Sequence, residues 1–401
     1  MLKSLPVQLV VCVVIALLIG THLDFSVVQL FFSLSCAIKD ILMMILPFVI
    51  VTYIASAILS LEQRAPLLLI CVMLMVCLSN ITAVFSSYCV GQLVLPWLTA
   101  GKVIDLTVVQ DGITPLFTLP LPKLLEPSHA LMIGMGYGLL FSFYKLSQAK
   151  DLALNLRDYV TLFLRKGFIP FLPVYVFGFV LKMQAEGSLV TLFTNYGQIF
   201  LVVCLLLVVY ITFVYALAEG FKPKQFIASI RTMLPAGLTG FSTMSSAASM
   251  PVTLTATEQN VQDAGFTQLV IPTTVNIHLL GDALGIPLIG LAILQLGGLP
   301  MPGIEEYMIF AAYFCMAKFS TAAIPGGGVL VLLPTLQTHL GLTPEMTGLV
   351  ATIYILQDSL FTGANVMGNG GFALVCHRLF KMIRLVQSQP AKADEEALAQ
   401  V

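Results

Sequence analysis

One stretch of the sequence is the most informative about the fold, and it reads Ser320-Thr321-Ala322-Ala323-Ile324-Pro325-Gly326-Gly327-Gly328. It interrupts an apolar segment, residues 305–340, with one proline and three consecutive glycines. At membrane depth, non-helical backbone is tolerated only where protein or a watery cavity satisfies its N–H and C=O groups. Small residues can also serve close helix packing, but packing alone does not need this break. The stretch therefore predicts the tip of a re-entrant helical hairpin.

The composition around it is that of an integral membrane protein. Of 401 residues, 58% are hydrophobic and only 10% are charged, against about 25% charged in soluble domains. The net charge of −1 offers no basic field for nucleic acid. Apolar runs that can cross about 30 Å of hydrocarbon predict membrane spans. These lie near residues 5–23, 40–61, 66–95, 128–147, 167–183 and 194–217.

The eight cysteines are scattered through apolar segments with no CxxC or metal-ligand spacing. We interpret them as small buried hydrophobic residues. The sequence predicts no metal site and no cofactor. An enzyme would need a nucleophile–base pair or a metal cluster, and neither pattern is visible. An enzyme is therefore not expected.

The C-terminal half contains a second interruption like the first. The stretch Ser242–Pro251 breaks the apolar segment 228–257 with small and hydroxylated residues. Basic residues are concentrated in the loops expected on the cytoplasmic side, which places both termini in the cytoplasm. That orientation requires the segments 228–257 and 305–340 to enter from opposite sides and return. Paired interruptions in an inverted repeat indicate a transport site near the bilayer midplane.

Three motifs in this half resemble the dicarboxylate/amino acid:cation symporter family, the glutamate-transporter homologues. They are SSAASMPVT at 245–253, AIPGGGVL at 323–330 and NVMGN at 365–369. The resemblance implies an all-α integral membrane protein with eight transmembrane helices, two re-entrant hairpins and inverted repeats. It also implies a homotrimer in the bacterial inner membrane that works by an elevator mechanism.

The implied domains follow the chain order. Scaffold helices 1 and 2 occupy residues 1–65, and scaffold helices 4 and 5 occupy 105–190. The transport domain consists of helix 3 (66–104) and a core (191–385) of helix 6, hairpin 1, helix 7, hairpin 2 and helix 8. Residues 386–401 form a cytoplasmic tail.

The resemblance also implies a substrate site. Asn365 and Ser246, with Ser245 beside it, match residues that hold a substrate α-carboxylate. Asp358 matches the aspartate that pairs with the substrate amino group, and it shares a helix face with Thr362 and Asn365. The backbone of the second hairpin would close over the ligand as a gate, at Ala323, Ile324, Pro325 and Gly326.

Several positions depart from the family pattern. Phe361 stands where members for acidic substrates have an arginine. His278 and Leu280 replace an asparagine and an aspartate that serve sodium, and Asn369 replaces another such aspartate. The coupling-ion or proton candidates are His278, Asp282, Lys318, Asn369 and Asn276.

Sodium prefers several oxygen ligands, including a carboxylate, so these departures argue against sodium coupling. Lys318 is expected either to supply a permanent positive charge inside the cavity or to extend its ammonium to the outer surface. His278 and Asp282 are intramembrane ionisable residues and could carry a proton. Alternatively, His278 is a neutral, hydrogen-bonded core residue and Asp282 contacts a substrate side chain.

The predicted function is secondary transport of an amino acid, neutral rather than acidic and independent of sodium. Without an arginine at position 361 there is no bidentate partner for a side-chain carboxylate. The alternative is a conventional sodium- or proton-coupled symporter of glutamate, aspartate or C4-dicarboxylates. A sensor or a channel remains a further alternative.

Overall fold

The protein is described from a computed structural model that covers residues 5–60, 66–100, 113–122, 125, 127–144, 146–185, 188–321 and 327–398. The regular elements in these ranges are all helices, as predicted. The first seven are α1 (Leu5–Ile19), α2 (Phe25–Ser60), α3 (Pro66–Thr99), α4 (Pro127–Phe143), α5 (Ser147–Phe163), α6 (Leu172–Ala185) and α7 (Ser188–Ala218). The remaining seven are α8 (Pro223–Thr243), α9 (Ser246–Val261), α10 (Ala264–Thr274), α11 (Leu280–Leu296), α12 (Ile304–Lys318), α13 (Gly327–Leu340) and α14 (Pro344–Leu398).

The helices pack in two groups. In the first group, α2 packs against α4, α5 and α6, and α1 packs against α6. In the second group, α11 packs against α3 and α14, while α14 also packs against α7, α8 and α9. One cluster of buried apolar side chains extends across both groups. In a membrane such helices associate through van der Waals packing rather than through the hydrophobic effect.

The first group differs from the expected spans at two places. The helix that contains the span expected at 40–61 begins earlier, at Phe25. Ser33 and Ser35 in its first half donate their hydroxyls to the carbonyls of Gln29 and Tyr175. The region between the spans expected at 128–147 and 167–183, where no helix is predicted, contains α5. Leu156 and Tyr159 are exposed on α5 while Ala153 is buried, so its apolar residues are divided between two faces. A search for long uniformly apolar runs therefore misses this helix.

The two predicted interruptions separate helix pairs. The first falls between α8 and α9, where Met244 takes a left-handed conformation with φ 50° and ψ 31°. Ser245 then caps α9, since its side chain accepts a hydrogen bond from the Ala248 N–H at 3.2 Å. The second falls between α12 and α13, which also pack against each other. Both helix pairs lie in the predicted hairpin segments.

A third interruption, residues 275–279, separates α10 from α11. Its carbonyl groups are satisfied by neighbouring elements. Asn80 of α3 donates through Nδ2 to the Ile277 carbonyl at 2.9 Å. Thr321, three residues beyond α12, donates to the Asn276 carbonyl at 3.3 Å. The broken backbone therefore lies inside protein, as irregular backbone at membrane depth requires.

Within the described residues, two uninterrupted helical stretches are long and apolar enough to cross a membrane, Cys71–Thr99 and Gly197–Ala218. The helical segments Ser147–Phe168 and Leu172–Lys182, bent by 51° relative to each other, form a third if they are counted as one span. Several other apolar helices are shorter, including Leu280–Leu296 and Gly328–Leu340. Short apolar helices are what interruptions at mid-depth produce.

Candidate functional site

The carboxylate of Asp282 is the centre of a buried polar network in the second helix group. Asp282 lies in the first turn of α11 and is 1% exposed. Its Oδ2 accepts a hydrogen bond from Lys318 Nζ at 3.0 Å. Its Oδ1 accepts from Tyr354 Oη at 2.9 Å and from Asn365 Nδ2 at 3.0 Å. Three of the about four acceptor positions of this carboxylate are therefore already used within the protein.

Lys318 ends α12 and points inward. It is fully buried and forms an ion pair with Asp282. The expectation that its ammonium reaches the outer surface is therefore wrong. An ammonium removed from water needs a compensating negative charge, and the carboxylate of Asp282 supplies it. The ammonium of Lys318 therefore lies inside the helix group.

Both helices of the second pair, α12 and α13, approach Asp282. Lys318 comes from α12, and Gly328 lies in the first turn of α13. A Cβ on Gly328 would lie 2.7 Å from Asp282 Oδ2 and 2.5 Å from the Tyr354 hydroxyl oxygen. This close approach requires a glycine. It positions the start of α13 directly over the ion pair.

Tyr354 is a site residue that the sequence analysis missed. Its hydroxyl donates to Asp282 and also interacts with Asp358, one turn along α14. Asp358 in turn accepts a hydrogen bond from Thr362 at 3.2 Å. The spacing could have revealed Tyr354, because residues four apart lie on one helix face. Tyr354 thus links the two aspartates of the site.

Phe361 is fully buried, and its ring stacks on Tyr354 with centroids 5.0 Å apart and planes 10° apart. It also packs on Gly285 of α11, where a Cβ would lie 2.1 Å from Phe361 Cε1. The aromatic pair fills the space between α11 and α14 beside Asp282. Phe361 fixes the orientation of Tyr354 through this stacking.

His278 lies in the break between α10 and α11 and contacts neutral groups. Its Nδ1 is 3.1 Å from Asn369 Oδ1, and its Nε2 is 2.9 Å from Ser79 Oγ. The ring stacks on Phe372 at a centroid distance of 4.1 Å. Asn369 Oδ1 can only accept, so Nδ1 carries a hydrogen, while the Ser79 hydroxyl can either donate to Nε2 or accept from it. This arrangement fits the alternative of a neutral core histidine.

His278 and Asp282 do not share a helix face, because α11 begins only at Leu280. Their hydrogen-bond partners differ accordingly. Asn369 joins the His278 cluster, whereas Asn365, one turn earlier on α14, joins the Asp282 network. The backbone carbonyl of Asn276, another ion candidate, accepts from Thr321. Four of the five coupling candidates thus form two clusters, His278 with Asn369 and Asp282 with Lys318.

Ser245 and Ser246 are buried at the break between α8 and α9. The end of α8 lies against α14 about a third of the way along that helix, since a Cβ on Gly240 would lie 3.1 Å from the Thr362 carbonyl oxygen. The α8–α9 pair therefore approaches the Asp358–Thr362 pair. The predicted gate residues Ala323, Ile324, Pro325 and Gly326 lie outside the described residues.

These features define a helical membrane protein in which interrupted helices surround a buried, charged site. Comparison with known proteins assigns the family. The model of the sodium:dicarboxylate symporter family matches residues 5–379, and the chain belongs to that family. It is a family of membrane symporters rather than of enzymes, as the sequence predicted.

Two relatives illustrate the range of the family. The chain is 28% identical over 183 residues to excitatory amino acid transporter 2 of Homo sapiens, covering 45% of this chain and 31% of that protein. It is 24% identical to the serine/threonine transporter SstT of Bifidobacterium adolescentis, covering 91% of this chain and 88% of the relative. The match thus spans less than a third of the excitatory transporter and most of SstT.

Proposed function

We propose that the protein is a secondary transporter of a neutral amino acid across the bacterial inner membrane, and that transport does not depend on sodium. Family membership supports a transporter. The buried Lys318–Asp282 pair is the observation that carries the finer proposal. It holds a permanent positive charge next to the interrupted helices, where a bound cation would otherwise balance the aspartate.

Asp358 is the proposed partner of the substrate ammonium. It is buried on α14 beside Thr362, close to the break in hairpin 1. The serines of that break, Ser245 and Ser246, together with Asn365, are proposed to hold the α-carboxylate. Asn365 Nδ2 donates one hydrogen bond to Asp282 in this structure, and its second N–H is proposed to serve the substrate carboxylate.

The preference for a neutral side chain rests on Phe361. This aromatic ring occupies the position beside Tyr354 and offers no charge to a second carboxylate. The relative named as a serine/threonine transporter matches 91% of this chain and supports a neutral substrate. A glutamate, aspartate or dicarboxylate symporter is the second candidate, which the family description favours.

The proposed mechanism is an elevator movement. Helix α3 and helices α7–α14 would move as a transport domain against a scaffold of α1, α2, α4, α5 and α6. The packing of α2 with α4, α5 and α6, and of α11 and α14 with α3, α7, α8 and α9, supports this division. The proposed assembly is a homotrimer, with both termini in the cytoplasm.

The test is counterflow in proteoliposomes loaded with one of the twenty amino acids, in sodium buffer and in choline buffer. We expect saturable exchange of neutral amino acids with equal rates in both buffers. Exchange of aspartate or succinate that requires sodium would favour the conventional symporter. Flux that does not saturate or exchange would indicate a channel.

A further inference from the structure

Three hydrogen-bond donors converge on Asp282, and together they have the chemistry of a carboxylate-binding site. We call Lys318, Tyr354 and Asn365 the carboxylate cradle. They provide an ammonium, a phenol hydroxyl and an amide N–H, at 3.0, 2.9 and 3.0 Å from the two oxygens of Asp282. All three side chains are buried. Charge-assisted hydrogen bonds of this kind bind any carboxylate that fits, whichever molecule carries it.

The cradle comes from elements other than the one that carries its occupant. Lys318 lies on α12, while Tyr354 and Asn365 lie on α14. Asp282 enters from the first turn of α11. Its carboxylate therefore behaves like a ligand tethered to the protein by a single methylene group. If it were removed, three buried donors would lose their acceptor, which is strongly unfavourable.

The cradle also adjoins the proposed substrate position. The Tyr354 hydroxyl that donates to Asp282 interacts with Asp358 as well. A molecule with its ammonium at Asp358 could therefore place a carboxyl group in the cradle only if Asp282 were absent. Asp282 fills the position that a second carboxyl group of an acidic substrate would need.

We propose that the cradle is a carboxylate-binding subsite occupied by the chain's own Asp282, and that Asp282 is a specificity-determining residue that excludes acidic substrates. The exclusion of acidic substrates rests on the proposed function. The subsite itself does not rest on the proposed function. Binding of a small carboxylate to the purified protein tests the subsite without any measurement of transport.

The first test is chemical rescue of Asp282→Ala by formate, which has the size of the deleted carboxylate group. Thermal unfolding of the purified full-length protein is measured in choline formate and in choline chloride of equal ionic strength. We expect formate to raise the Tm of Asp282→Ala saturably, by about 3 °C or more, because it binds only the folded state. The unmodified protein should not respond, since Asp282 fills its cradle.

Two control variants separate the cradle from a general effect of anions. Asp282→Asn fills the same space with an amide and should not respond to formate. Asp282→Ala combined with Lys318→Met keeps the cavity but lacks the ammonium, and its response should disappear. An equal response of the unmodified protein, or of the double variant, would overturn the proposal.

If Asp282→Ala can be purified only with formate present, that requirement is itself the expected rescue. If it fails in both buffers, the smaller change Asp282→Ser is tested in the same way, and failure of both variants regardless of formate would overturn the subsite.

Specificity is then measured by isothermal titration of Asp282→Ala with serine and with aspartate. We expect the affinity for aspartate relative to serine to rise at least about tenfold over the unmodified protein. If formate rescues Asp282→Ala but the affinity for aspartate relative to serine does not rise, the subsite is supported and its role in specificity is refuted. A protein that transports no amino acid but shows formate rescue would refute the proposed function and leave the subsite intact.

Discussion

Gly328 lies so close to Tyr354 that a Cβ on residue 328 would be 2.5 Å from the tyrosine hydroxyl oxygen. The same Cβ would be 2.7 Å from Asp282 Oδ2. Real Cβ atoms do not approach other heavy atoms so closely, so any other residue must displace either α13 or the Asp282 network. The glycine thus lets the second helix pair close over the Lys318–Asp282 ion pair.

Gly328→Ala is therefore expected to destabilise the protein by about 1–3 kcal/mol, the usual cost of overpacking a well-packed site. It should also weaken substrate binding, because α13 can no longer approach Asp282. Gly303→Ala is the matched control in the same helix pair, since a Cβ there meets no atom within 4 Å. Thermal unfolding and substrate titration of both variants give the comparison. Equal Tm and Kd for the two variants would contradict this packing.

Lys318→Met should be strongly destabilising because it leaves the charge of Asp282 buried without its partner. Breaking a buried ion pair by removing one member costs about 3–5 kcal/mol. Replacing Asp282 by Asn in the same protein removes the charge while keeping an acceptor for Tyr354. The double variant should therefore recover much of the lost stability. Denaturant unfolding of the two single variants and the double variant measures the coupling, and additive losses would argue against the pair.

Much of this arrangement could be predicted from the sequence, and the reasons differ between elements. The interruptions at Ser242–Pro251 and at 320–328 have a clear signal, because small, hydroxylated and helix-breaking residues interrupt apolar segments at membrane depth, where irregular backbone needs partners in the protein or a cavity. Asp282 and Asp358 can be found because ionisable residues inside the membrane are rare and functional by default, whereas Lys318 is found through the family resemblance.

Their pairing was not predicted, because Lys318 and Asp282 are 36 positions apart and lie on different helices. Tyr354 was missed for a related reason. A tyrosine in an apolar helix is usually a packing residue, and only the positions of Asp282 and Asp358 show that its hydroxyl serves both. Helix α5 was missed because its charged residues resemble those of a loop.

Asp358→Asn should abolish binding of α-amino acids if Asp358 pairs with their ammonium group. Loss of one partner of a desolvated charge pair costs roughly 2–5 kcal/mol, which corresponds to at least about a thirtyfold loss of affinity. Asp263→Asn is the control, because Asp263 caps α10 outside this site and asparagine also caps helices well. Isothermal titration measures the affinities, and size exclusion checks the assembly. Unchanged affinity in Asp358→Asn would refute its assignment.

We expect that His278 does not carry a proton that is coupled to substrate transport. Both of its ring nitrogens are engaged by neutral partners, Asn369 and Ser79, and its ring is stacked on Phe372. No carboxylate contacts it among the described residues to stabilise an imidazolium. The substrate Kd of His278→Gln should therefore vary with pH in the same way as that of the unmodified protein, between about pH 5.5 and 8 where histidine normally titrates.

Asn369→Asp sharpens the test of His278. It would place a carboxylate beside Nδ1, and an adjacent negative charge favours the protonated ring. Only in this variant should a new, histidine-dependent change of Kd with pH appear, and adding His278→Gln to it should abolish that change. His339→Gln is the control, since His339 stacks on Tyr313 at the end of α13, away from both polar clusters. If His278→Gln alone flattened an existing pH dependence, His278 would be the proton carrier after all.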